Sequence, residues 1–198
     1  MGENIMSNVN IDNEIKDKTF SHYAKLFLYL LARFVLVTVL SLMASPLAFK
    51  APLFMNPVLG VFFLFALIYF FVLTCHFEGG RDRNRVETGL IRENKAKGFL
   101  CAGLLVAPLI AVGAVGTFTV GEGIGLKIAR IVYSVSSFST WNLAETFAWD
   151  DTATVIRFIV YAAVLSLCFI SAGVAYRLGY EDKHPLKPIV DKFSSWKN

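Results

Sequence analysis

The chain has 198 residues, of which 56% are hydrophobic and 17% charged, with a formal net charge of +4. Soluble domains carry about 25% charged residues, so this composition excludes an ordinary soluble domain and points to lipid as the solvent. The basic residues lie beside apolar blocks, which argues against nucleic acid as a partner and for anionic lipid headgroups.

The chain divides into a polar N-terminus, 1–22, a membrane domain, 23–180, and a tail, 181–198. The N-terminus mixes both charges with little periodicity and is expected to be flexible and cytoplasmic. Four apolar blocks follow, at 26–49, 53–75, 99–120 and 154–175. A bilayer core of about 30 Å takes roughly 20 apolar residues as a helix, so each block predicts a span. The first is longer than the roughly 7–15 residues of a signal-peptide core and is read as uncleaved.

Arg33 is the main charge inside a predicted span. It sits about 10 Å into the first helix at 1.5 Å per residue. Such charges are costly, which makes it a functional candidate. Thr38, Ser41 and Ser45 form a hydroxyl stripe further along. At about 100° per residue, Ser41 is the nearest of them, roughly 80° round the helix from Arg33. The arginine and the stripe are therefore separate features. Arg33 either guards a solute path or binds an anion, or it reaches the headgroups with its tip.

Pro46, Pro52 and Pro57 predict a tight turn into the second span, which is crowded with Phe54, Phe62, Phe63, Phe65, Tyr69, Phe70 and Phe71. Gly79-Gly80 is expected to end that helix. The loop 78–98 then carries a polar knot, Arg81, Asp82, Arg83 and Arg85. It is read either as a solvated basic loop or as a docking element for a cytoplasmic partner or anionic lipid. The span layout and the run Gly80–Gly98 (GRDRNRVETGLIRENKAKG) resemble those of uncharacterised bacterial four-span membrane proteins. The resemblance implies a multi-pass bacterial inner-membrane protein and no particular activity.

Small residues recur at Gly103, Ala107 and Ala111 in the third span and at Ser171, Ala175 and Gly179 in and after the fourth. Spacing of four lets helices approach closely in lipid, so these two spans are expected to make the tightest contact and to offer a face for a protein partner or homo-oligomer. Between them lies a long connection. Gly121, Gly123 and Gly125 read as a hinge. Ile128, Ile131, Val132, Val135 and Phe138 then line one side of an amphipathic helix, with Arg130, Ser134 and Ser137 away from it, which predicts an outer interfacial helix. Asp150, Asp151 and Thr152 are candidate caps for the last span. Arg157 is expected to act as an anchor, compensated by outer acids such as Glu122 or Glu145, or by lipid phosphate.

Fourteen Lys and Arg residues flank one side of the spans and three the other. The positive-inside rule places both termini and the loop 78–98 in the cytoplasm. Cys75, Cys101 and Cys168 offer no disulfide framework and read as packing residues. With His22, His76 and His184 they show no metal-ligand spacing, and no catalytic motif is present. No cofactor or metal is expected.

The predicted fold is an all-α antiparallel four-helix membrane bundle with an outer amphipathic helix. The predicted function is that of a non-catalytic membrane component working through protein or lipid contacts. The alternatives are an oligomeric transporter or channel using Arg33 and the hydroxyl stripe, and an interfacial enzyme.

Overall fold

The computed structural model describes the backbone at 2–50, 52–147 and 153–181, and the side chains at 20–47, 54–147 and 154–181. Among the described residues there are five helices and no strand: α1 (Gly2–Lys50), α2 (Pro52–Glu87), α3 (Lys97–Phe118), α4 (Ile124–Phe147) and α5 (Ala153–Tyr180). Four of them contain segments long and apolar enough to cross a membrane, at Phe20–Leu47, Phe54–Glu87, Lys97–Phe118 and Thr154–Tyr180. Less than two fifths of each apolar window is buried, so most of that surface faces outward, as lipid-solvated helices require.

The inward stripe of each helix follows from its periodicity. In α1 it is Leu26, Leu30, Phe34, Val37 and Ser41; in α5 it is Tyr161, Leu165, Cys168, Ala172 and Tyr176. The stripe of α2 starts with Phe63, Leu67, Phe71 and Cys75 and continues through Glu78 and Asp82, which are also buried. The aromatics of α2 divide accordingly, with Phe54, Phe62, Phe65 and Tyr69 outward and Phe63 and Phe71 inward.

Four features of the structure bear on these expectations. First, residues 2–22 are not a separate irregular segment, because α1 runs unbroken from Gly2.

Second, Gly79-Gly80 does not end α2. At Gly79 a Cβ would collide with the backbone of Tyr176 and Tyr180, and at Gly179 it would meet the backbone of His76. The two glycines permit a close crossing of α2 and α5, and the helix proceeds to Glu87. It stops at Gly89 (φ 72°), where Gly89 N donates to Val86 O at 3.0 Å and Leu90 N to Arg85 O at 2.8 Å. This is a Schellman ending, which needs a residue without Cβ strain at that position.

Third, α3 and α5 pack closely at Gly98 and Gly173, rather than along the small residues Gly103, Ala107, Ala111 and Ser171. Ala175 and Gly179 are buried, but Ala107 and Ala111 are exposed. Gly103 meets the Phe169 ring at ordinary contact distance, and Ser171 donates to its own Cys168 O at 3.1 Å.

Fourth, α4 packs against all four apolar helices. Its apolar residues Ile128, Ile131, Val132 and Val135 face outward, while Ser136, Ser137, Ser139, Thr140 and Asn142 are buried against the bundle. The caps expected at Asp150, Asp151 and Thr152, and His184, lie outside the described residues.

Candidate functional site

The continued stripe of α2 delivers a carboxylate to the interior at the charged end of the bundle. Asp82 is 1% exposed, and three donors from three elements reach it. Lys97 Nζ, at the start of α3, donates to Oδ2 at 2.5 Å. Tyr176 OH, from α5, donates to the same oxygen at 2.8 Å. Arg85 Nη1, one turn along α2, donates to Oδ1 at 2.8 Å. Lys97 is itself buried and lies 5.3 Å from the centroid of the Tyr23 ring on α1.

Neighbouring groups extend the cluster. Glu78 accepts from Arg81 Nη1 at 2.8 Å and from Arg85 Nη1 at 3.5 Å. Asn94 Nδ2 donates to Tyr23 OH at 2.5 Å, while Asn94 Oδ1 accepts from Ala96 N at 2.9 Å. The space left among Asp82, Lys97, Tyr176, Tyr23, Asn94 and His22 is about 10 Å³, room for about one water. The arrangement can lock α1, α2, α3 and α5 together, but it has no volume for an organic substrate.

The structure thus splits the predicted polar knot. Asp82 is buried and unavailable for docking, and Arg85 is half-buried against it. Arg81 remains 63% exposed despite its pair with Glu78, and Arg83 pairs with Glu87 at 2.9 Å. Lys97, Tyr176, Tyr23, Glu78 and Asn94 escape the sequence reading. Only the run Glu78, Asp82, Arg85 carries a local signal, being spaced four and three on one helix face.

Beside the cluster, a groove of about 640 Å³ opens between α1 and α2. Its lining includes Tyr29, Arg33, Leu36, Phe77, Glu78 and Arg81. Arg33 is exposed, and its Cζ lies 5.2 Å from the centroid of the Phe70 ring. It has no ion pair or hydrogen bond among the described residues.

The hydroxyl stripe belongs to the other side of α1, as the helical angles predict. Thr38 and Ser41 are buried. Thr38 Oγ1 donates to Phe34 O at 2.9 Å and Ser45 Oγ to Leu42 O at 2.8 Å, whereas Ser41 Oγ crosses to Phe138 O of α4 at 2.5 Å. Ser136 Oγ and Tyr161 OH, 2.9 Å apart, tie α4 to α5. Arg157 meets Glu145 at 2.6 Å and stacks 4.5 Å over Trp141. It borders a cavity of about 240 Å³ that Ser134, Ser137 and Thr140 also line. Nearby, the buried Thr117 and Tyr133 hydroxyls are neighbours without a well-formed hydrogen bond, and Asn142 Oδ1 lacks a partner among the described residues.

Among the described residues no group of three His, Cys, Asp or Glu side chains could hold a metal ion. Cys75, Cys101 and Cys168 are free thiols, all buried. The described residues define an all-helical fold with four membrane-span-like helices clamped at one end by a buried ionic cluster. Comparison with known protein families, curated proteins and solved structures finds no match to this chain.

Proposed function

We propose that this chain is a non-catalytic component of a bacterial inner membrane, acting through lipid and protein contacts at its cytoplasmic face. In this reading the bundle is antiparallel, both termini are cytoplasmic, and α4 lies on the outer side with its apolar face towards lipid. The observation that carries the reading is how the charges are used at the basic end. Asp82, Lys97, Arg85 and Glu78 satisfy one another, and the space that Asp82 and Lys97 share with Tyr23, Asn94 and Tyr176 is about 10 Å³. Arg33 and Arg81 are left on an open groove. Inward charges therefore serve structure, and outward ones serve contact. The exposed Ala107 and Ala111, next to Gly103, supply a smooth face on which a second copy or a partner helix would fit.

The test is purification of the full chain in a mild detergent, followed by native mass spectrometry of retained lipids and proteins. Retention of bound lipid or a second chain at defined stoichiometry is expected. A bare monomer would contradict the reading.

A second reading, transport of a small polar solute, is favoured by one observation. The buried face of α4 is lined with hydroxyls and includes the unpartnered Asn142 Oδ1. Flux through reconstituted vesicles that falls with Ser137→Val would support it.

A further inference from the structure

The groove between α1 and α2 gathers cations from two helices. Arg33 comes from α1 and Arg81 from α2, and both line the same space of about 640 Å³. The Arg33 guanidinium lies over the Phe70 ring, and that of Arg81 meets Glu78 about two turns further along α2. Two positive groups therefore stand along one groove, where an anionic ligand would be attracted.

The chain supplies too little negative charge of its own. Among the described residues the carboxylates that reach Arg81, Arg85 and Lys97 are Glu78 and Asp82 alone. The side chain of Glu78 is 5% exposed and already shared by two arginines. Asp82 is enclosed by Lys97, Tyr176 and Arg85. Arg33 has neither carboxylate. The groove is left with a surplus of positive charge.

The rest of the lining says which kind of anion fits. Tyr29, Leu36 and Phe77 are all exposed along the groove, in surface that belongs to the membrane-span segments. A small hydrated anion gains nothing from such walls. A phospholipid does, because its acyl chain covers them while its phosphate meets the guanidinium groups, which suit bidentate phosphate contacts. Lys25, exposed and 5.9 Å over the Tyr29 ring, adds further positive charge beside the groove.

We propose that the α1–α2 groove is a binding site for an anionic phospholipid, with its headgroup phosphate held between Arg33 and Arg81. The proposal rests on the contact-protein reading and narrows it to one ligand class and one place. The surplus cation selects a lipid of net negative charge over a zwitterionic one.

The experiment uses the full chain in mild detergent, as wild type and as Arg33→Gln, Arg81→Gln and Arg83→Gln. Each is mixed with micelles containing phosphatidylglycerol or phosphatidylcholine, with and without inorganic phosphate, and bound lipid is counted by native mass spectrometry. A thermal unfolding scan checks that each variant is folded. Wild type is expected to retain phosphatidylglycerol over phosphatidylcholine by about fivefold or more, as one added charge-assisted contact implies. Arg33→Gln and Arg81→Gln should abolish that preference, Arg83→Gln should keep it, and phosphate should not compete. An unchanged preference in folded Arg33→Gln overturns the groove site while leaving the contact reading intact. Displacement by inorganic phosphate also overturns it. A wild type that retains neither lipid nor protein overturns both. Should Arg33→Gln fail to fold, Arg81→Gln, on a largely exposed residue, decides the matter.

Discussion

Replacing Asp82 with Asn isolates the charge at the centre of the ionic cluster. The amide keeps the volume and can still accept a hydrogen bond from Tyr176. It cannot neutralise Lys97, whose side chain is 3% exposed and whose ammonium lies 2.5 Å from Asp82. Removing one member of a buried pair strands the other, at a cost of about 3–5 kcal/mol. Folded domains are stable by only about 5–15 kcal/mol, so Asp82→Asn removes about a fifth or more of the margin. The double variant Asp82→Asn/Lys97→Met strands no ammonium and should recover most of that loss. Equilibrium unfolding with a denaturing detergent measures both. Maleimide labelling of Cys75, Cys101 and Cys168 is a convenient probe, because all three thiols are buried when the bundle is closed. A loss below about 1 kcal/mol for the single variant, the range of an exposed pair, would refute the clamp. So would strict additivity in the double variant.

Further outcomes follow from the same geometry. Gly80→Ala should be neutral or stabilise by up to about 1 kcal/mol, because its Cβ meets only Gly179 O at 3.6 Å and alanine favours helix. Gly79→Ala should destabilise strongly, because its Cβ runs into the α5 backbone; equal melting temperatures for the two variants would remove the α2–α5 crossing from the account. Ser41→Ala should cost about 1 kcal/mol through its lost bond to Phe138 O. Arg83→Gln, which disturbs a solvent-facing pair with Glu87, should change stability by less than about 1 kcal/mol in the same unfolding assay.

The span-like helices are legible because twenty apolar residues in a row leave a chain few alternatives. Residues 26–49 and 154–175 fall close to the observed segments Phe20–Leu47 and Thr154–Tyr180. The end of α2 is not legible, because a Gly-Gly pair before a charged run has the same appearance whether it stops a helix or admits a neighbour. Only the α5 backbone beside Gly79 decides between the two. Asp82 reads as a surface residue because its partners are distant in sequence, Lys97 by 15 positions and Tyr176 by 94. The helical wheel of α4 sets Arg130, Ser134 and Ser137 apart from its apolar side, but only Ser137 of the three is buried, with Arg130 and Ser134 exposed alongside Ile131 and Val135. The direction each side faces depends on what packs against it, which the pattern of one helix does not carry. Arg33 and the Thr38–Ser41 face do lie apart, since angle along one helix is a local property.

Sidedness tests the central claim most directly, since the account needs the groove and ionic cluster at the cytoplasmic end of a four-span bundle. On a background with Cys75, Cys101 and Cys168 replaced by Ala, single cysteines are introduced at Arg83, beside the cluster, and at Glu122, in the exposed turn between α3 and α4. A membrane-impermeant maleimide added to intact cells should label Glu122→Cys and spare Arg83→Cys until the cells are opened. Labelling of Arg83→Cys in intact cells, or of both positions from the same side, would contradict it.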